Sequence, residues 1–98
     1  MSKDIDMKKY LIEVPHGNSK KECQKAIKIF LQTGSHFLHN ADWGCTDGEH
    51  KAWIITEVPT KEHARNIVPP LYRSTAKIVE LNTFTSEDIS NPVRHHKE

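Results

Sequence analysis

Ninety-eight residues allow one hydrophobic core. Fourteen Lys and Arg against thirteen Asp and Glu leave a formal charge of +1 with no basic block, so nucleic acid is not an expected partner. No apolar run is long enough to span a bilayer and the stretch from Met1 to Lys9 is polar, so a cytoplasmic protein without membrane contact is expected.

Residues 1–7 show no periodicity and read as a flexible lead, with one domain expected over 8–85 and a flexible tail over 86–98. From Lys9 to Val14, Tyr10, Ile12 and Val14 alternate with Leu11 and Glu13, which predicts a strand closed by Pro15 and Gly17. Ser19-Lys20-Lys21-Glu22 matches a capping box, in which hydroxyl and carboxylate each satisfy a free backbone N–H at a helix start. The helix that follows carries Cys23, Ala26, Ile27, Phe30, Leu31, Gly34, Phe37 and Leu38 at intervals of three and four, a stripe suited to a core. Gly34 on that stripe predicts close approach to a sheet, or a break into a shorter helix plus a turn.

Asp47-Gly48 between strand-like runs is the pair a two-residue type I′ hairpin turn prefers, and it predicts Trp43 opposite Ala52 and Cys45 opposite His50. The second arm, Lys51 to Val58, is apolar on both faces. Thr60 is the expected N-cap of a second helix with Ala64, Ile67 and Val68 facing inward, stopped by Pro69-Pro70. An irregular connection is expected over Leu71 to Thr75. Ala76 to Phe84 reads as the last strand, with Val79 and Leu81 on one face and Ile78 and Glu80 on the other.

The order β-α-β-β-α-β predicts an α+β, ferredoxin-like sandwich: a four-stranded antiparallel sheet of order 4-1-3-2 with both helices on one side. Alternation assigns Leu11, Glu13, Trp53, Ile55, Glu57, Ile78 and Glu80 to the uncovered face. That face is apolar enough to favour a homodimer. A one-residue slip would exchange the faces.

The stretch Asp42-Trp43-Gly44-Cys45-Thr46-Asp47-Gly48-Glu49-His50-Lys51-Ala52-Trp53-Ile54-Ile55-Thr56-Glu57 resembles the second hairpin of uncharacterised members of the dimeric α+β barrel superfamily. Muconolactone isomerases and small heme-degrading and quinol monooxygenases belong to the same superfamily. The resemblance spans residues 8 to 85 as a pattern; it implies a fold and a homodimer, and it transfers no catalytic residue.

On the expected face Glu13, Glu57 and Glu80 would lie side by side, where mutual repulsion raises a pKa and makes a proton donor or a cation site; the alternative is pairing with Lys51, Lys77 or a partner's Arg. With Trp53 as an apolar wall, these glutamates would line a pocket for a small molecule, or serve a superfamily-type isomerase or monooxygenase as acid and base. Cys45 and His50, with His16 as a third donor, are candidate ligands for a transition metal such as nickel, copper or zinc, although no C-x-x-C or H-E-x-x-H spacing is present. Cys23 and Cys45 read otherwise as small buried hydrophobes of a reducing compartment. His36 and His39 fall on the helix face opposite the core stripe. No P-loop, dinucleotide fingerprint or nucleophile elbow occurs, and no organic cofactor is identifiable.

Overall fold

The computed structural model describes residues 6–33 and 36–90, so Gly34, the outer parts of the expected lead and tail, and His95 and His96 lie outside the described residues. Strand β1 (Lys8–Pro15) is followed by helix α1 (Lys20–Gln32), the short helix α2 (His36–His39), and strands β2 (Asp42–Trp43) and β3 (Lys51–Val58). Helices α3 (Lys61–Ile67) and α4 (Pro70–Arg73), strand β4 (Lys77–Leu81) and the one-turn helix α5 (Ser86–Ser90) complete the order.

From edge to edge the sheet runs β2-β3-β1-β4, and every neighbouring pair is antiparallel. Read from the β4 edge, the order is 4-1-3-2. The two helical connections each return the chain to a strand that runs in the starting direction, one strand away, which places the central strands β1 and β3 side by side.

The covered face of the sheet carries Tyr10, Ile12 and Val14 from β1, Ala52, Ile54 and Val58 from β3, and Ile78 from β4. Against these pack Ala26 and Phe30 of α1, Leu38 of α2, Ala64 and Val68 at α3, and Tyr72 of α4. Phe30 holds the centre, with its ring centroid 4.9 Å from Trp43 and 6.2 Å from Tyr72 in edge-to-face geometry. Ser19 accepts a hydrogen bond from the Glu22 N–H and Thr60 accepts one from the His63 N–H, so both long helices start where the capping residues predict.

Three expectations are corrected. The core stripe is divided between α1 and α2, the break that was one of the two expectations there, and Leu31, expected on the stripe, is instead 55 % exposed. Between Pro69 and Ala76 the chain is not an irregular connection, because Pro70 opens α4 from its first position, where a missing N–H costs nothing. Carbonyls released at the ends of α3 and α4 are capped by arginines: Arg73 Nε and Nη2 donate to the Val68 carbonyl at 3.0 and 2.8 Å, and Arg65 Nη1 donates to the carbonyls of Arg73 and Ala76.

The third correction concerns β4. Glu80 pairs with Tyr10 and Ile78 with Ile12, so both stand on the helix side, while Lys77, Val79 and Leu81 stand on the uncovered side beside Glu13, Leu11 and Lys9. The strand has apolar residues on both faces, and burial of Ala76 and Ile78 beneath α3 decides the register.

Candidate metal centre

β1 and β3 bring two histidines to one end of the sheet. Beyond the Pro15–Lys51 pair the backbone pairing continues for one more step, with the His16 N–H donating to the His50 carbonyl at 3.0 Å. Their rings stand at right angles with centroids 6.0 Å apart. His16 also packs on Trp43, at 5.6 Å, so an aromatic of the core backs the histidine and sets the position of its ring.

Cys45 reaches the same place through a turn the sequence does not reveal. Asp47-Gly48 does not form a two-residue hairpin; Cys45–Asp47 makes a 3₁₀ turn, and Gly48 leaves it at φ 85°, a left-handed conformation that suits glycine. The Gly44 carbonyl accepts from both Asp47 and Glu49, which folds the turn back on itself. Trp43 does pair with Ala52, but Cys45 is carried off the ladder and is not opposite His50. Gly44 is enforced by packing, since a Cβ there would stand 2.8 Å from the Trp53 ring and 2.9 Å from the Glu49 carbonyl.

Cys23 comes from a third element, the first turn of α1, where it is buried facing the sheet. Its sulfur is bonded to that of Cys45, closing a loop with a sequence separation of 22. The expectation of two separate buried thiols is corrected accordingly. The His16 Nε2 lies 3.1 Å from Cys45 Sγ, and the ligating atoms of His16, Cys23 and Cys45 all fall within 4.8 Å of one another. His50 stands next to this group without belonging to it. A cleft of about 330 Å³, lined by Lys20, Cys23, Gln24, Cys45, Thr46 and His50, lies against the cysteine pair.

Burial, with the His50 ring beside it, holds the His16 imidazole below its ordinary pKa, against the opposing pull of the Glu22 carboxylate. The neutral ring, which has a lone pair to offer, is therefore the favoured form. His16 Nδ1 and His50 Nδ1 are both buried with no hydrogen-bond partner among the described residues. Buried polar atoms ordinarily have partners, so two orphaned ring nitrogens beside a sulfur pair mark this end of the sheet as chemically unusual.

The chain matches no family model, no curated protein and no solved structure significantly. What it does must be read from its own geometry. Of the residues singled out in the sequence, the fold gathers His16 and Cys45 and sets His50 beside them. Cys23 is not among the donors the sequence suggests, because its place on the helical stripe explains it fully as a core residue. The available clue was position, since the short connection from His16 to Ser19 is all that separates the end of β1 from the start of α1.

The carboxylate cluster dissolves. Glu80 is exposed on the helix side of the sheet, and Glu57 pairs with Lys9 at the far end of the uncovered face from Glu13. Glu13 accepts a hydrogen bond from Trp53 Nε1 at 3.2 Å and lies 3.6 Å from Lys51 Nζ, so it has the structural partners of an ordinary sheet-face residue. Trp53 spans from this carboxylate to Gly44 and does not wall a pocket with three glutamates. His36 and His39 are exposed, and His39 Nε2 donates to the Leu31 carbonyl. No helix among the described residues is long and apolar enough to cross a membrane.

Proposed function

We propose that the protein, with its cysteines reduced, binds a thiophilic transition-metal ion through the thiolates of Cys23 and Cys45 and the imidazole of His16. The observation that carries this reading is the convergence of the three donor atoms, from three separate elements, to within 4.8 Å of one another. A tetrahedral ion with bonds of about 2.3 Å to sulfur and about 2.0–2.1 Å to nitrogen holds neighbouring donors roughly 3.5–3.8 Å apart, so small side-chain movements suffice to seat it. The Cα atoms of Cys23 and Cys45 are 7.1 Å apart, slightly beyond the usual range of about 4.4–6.8 Å for a disulfide and wide enough for two thiolates to share an ion.

Two soft sulfurs and one nitrogen favour zinc or monovalent copper over the hard oxygen-seeking ions. A fourth position would face the cleft, where His50 or a solvent molecule can occupy it. The test is titration of the reduced full-length chain with Co(II). Sulfur-to-cobalt charge-transfer absorption saturating at one ion per chain is the expected result, and absence of that absorption sinks the reading.

A second reading concerns assembly. Leu11, Ile55, Val79 and Leu81 form an apolar stripe on the uncovered sheet face, with Ile55 64 % exposed. Lys9, Lys51 and Lys77 share this face with Glu13 and Glu57, so a two-fold copy can set opposite charges against each other around an apolar centre. We therefore propose a ferredoxin-like subunit that pairs with a second copy through this face. Sedimentation equilibrium should give a dimer for the native chain and a monomer for Ile55→Lys, whose charge would be buried at the contact. A monomeric native chain at micromolar concentration would refute the pairing.

A further inference from the structure

The sulfurs that would hold the ion are the same two that form the disulfide, and a cystine has no thiolate to offer a metal. We infer that the centre is a redox-gated metal site, which releases its ion when Cys23 and Cys45 join and takes it up when they part. The inference rests on the metal-binding reading and adds the regulation of that same site.

The two states lie close to one another, since the Cα separation of 7.1 Å is only just beyond the disulfide range and the donor atoms are already within 4.8 Å of one another. Cys23 sits near the start of a thirteen-residue helix, and the half-buried His16 ring brings its Nε2 to 3.1 Å from the sulfur of Cys45. Both cysteines line the open cleft, and half-buried Cys45 is the one a small thiol or disulfide reagent meets first. Lys20 at the rim adds a positive charge that attracts anionic thiols such as glutathione.

The chemistry balances in each direction. In uptake, a dithiol reductant transfers two electrons and two protons to the Cys23–Cys45 bond, becomes a disulfide itself, and leaves two protein thiols. A divalent ion then displaces the two thiol protons and is held by the two thiolates and His16. In release, oxidised glutathione accepts two electrons from the thiolate pair, its S–S bond breaks to give two glutathione thiolates, the Cys23–Cys45 bond forms, and the ion departs.

Because the ion binds only the reduced form, it must also stabilise that form. The midpoint potential of the Cys23–Cys45 couple should rise by about 30 mV for each tenfold increase of free ion above its Kd, the constant for a two-electron couple.

The experiment uses the full chain, reduced with a phosphine, loaded with one equivalent of Zn(II) and freed of reductant. Oxidised glutathione is added, released zinc is followed with a chromophoric chelator, and remaining thiols are counted by alkylation and mass spectrometry. One zinc released for each Cys23–Cys45 bond formed is the expected outcome. Zinc that stays bound as the intramolecular disulfide forms, or cysteines that end as separate glutathione adducts, overturns the gating while leaving metal binding intact. A reduced chain that takes up no zinc at the loading step overturns both.

Discussion

Cys45→Ser should lower the affinity of the reduced chain for zinc by more than about a hundredfold, measured by competition with a chromophoric chelator. Outer-shell partners of metal ligands alone contribute about 10–100-fold, and this change removes a thiolate that binds the ion directly. Cys23→Ser should have an effect of the same size, since its sulfur belongs to the same group of converging donors. His50→Gln should cost far less, because His50 stands next to that group and not within it. If Cys45→Ser and His50→Gln weaken binding equally, the ligand set is wrong. Reduced native chain is the proper reference for all these variants, because loss of the 22-residue linkage by itself destabilises the fold by about 3 kcal/mol through the added freedom of the unfolded chain.

Phe30→Ala should destabilise the domain by about 3–5 kcal/mol, read from urea unfolding by linear extrapolation. Phe30 is among the largest fully buried side chains, and it joins the aromatic contact that runs from Trp43 on one side to Tyr72 on the other. Its loss leaves a cavity between α1, β2 and α4 that neighbours fill only in part. Native stabilities are about 5–15 kcal/mol, so the change removes a large fraction of the margin that keeps the domain folded. The consequence extends to the site, because Trp43 packs on Phe30 and on His16 together. A residual folded population should therefore bind zinc more weakly than native chain even though no ligand has changed. A destabilisation below about 1 kcal/mol would mean that Phe30 is not the centre of the core.

The legibility of the candidate site depended on how each donor residue is coupled to its neighbours. His16 was visible because it follows a strand whose end is marked by Pro15 and Gly17. His50 was visible because it opens the next strand. Their adjacency follows from the β1–β3 register, which the alternation of Tyr10, Ile12 and Val14 against Ala52, Ile54 and Val58 made readable. Cys45 was singled out for the wrong reason, because a type I′ turn at Asp47-Gly48 would have left it on the ladder, whereas the 3₁₀ turn lifts it toward α1. Cys23 was hidden by its own helical periodicity, since a ligand pointing into a core and a core residue leave the same mark on a sequence.

The amino-acid sequence by itself determined the elements whose causes are local. These are the strand patterns of β1 and β3, the caps at Ser19 and Thr60, the stop at Pro69-Pro70, and the need for glycine in the turn at Gly48. Only the tertiary structure decided the face of β4, the meeting of Cys23 with Cys45 and His16, and the separation of Glu13, Glu57 and Glu80. β4 is apolar on both sides, and its choice of face comes from what α3 can cover. The sulfur–imidazole cluster joins residues from β1, α1 and the turn after β2, and nothing along the chain couples those positions until the sheet and helix close on one another.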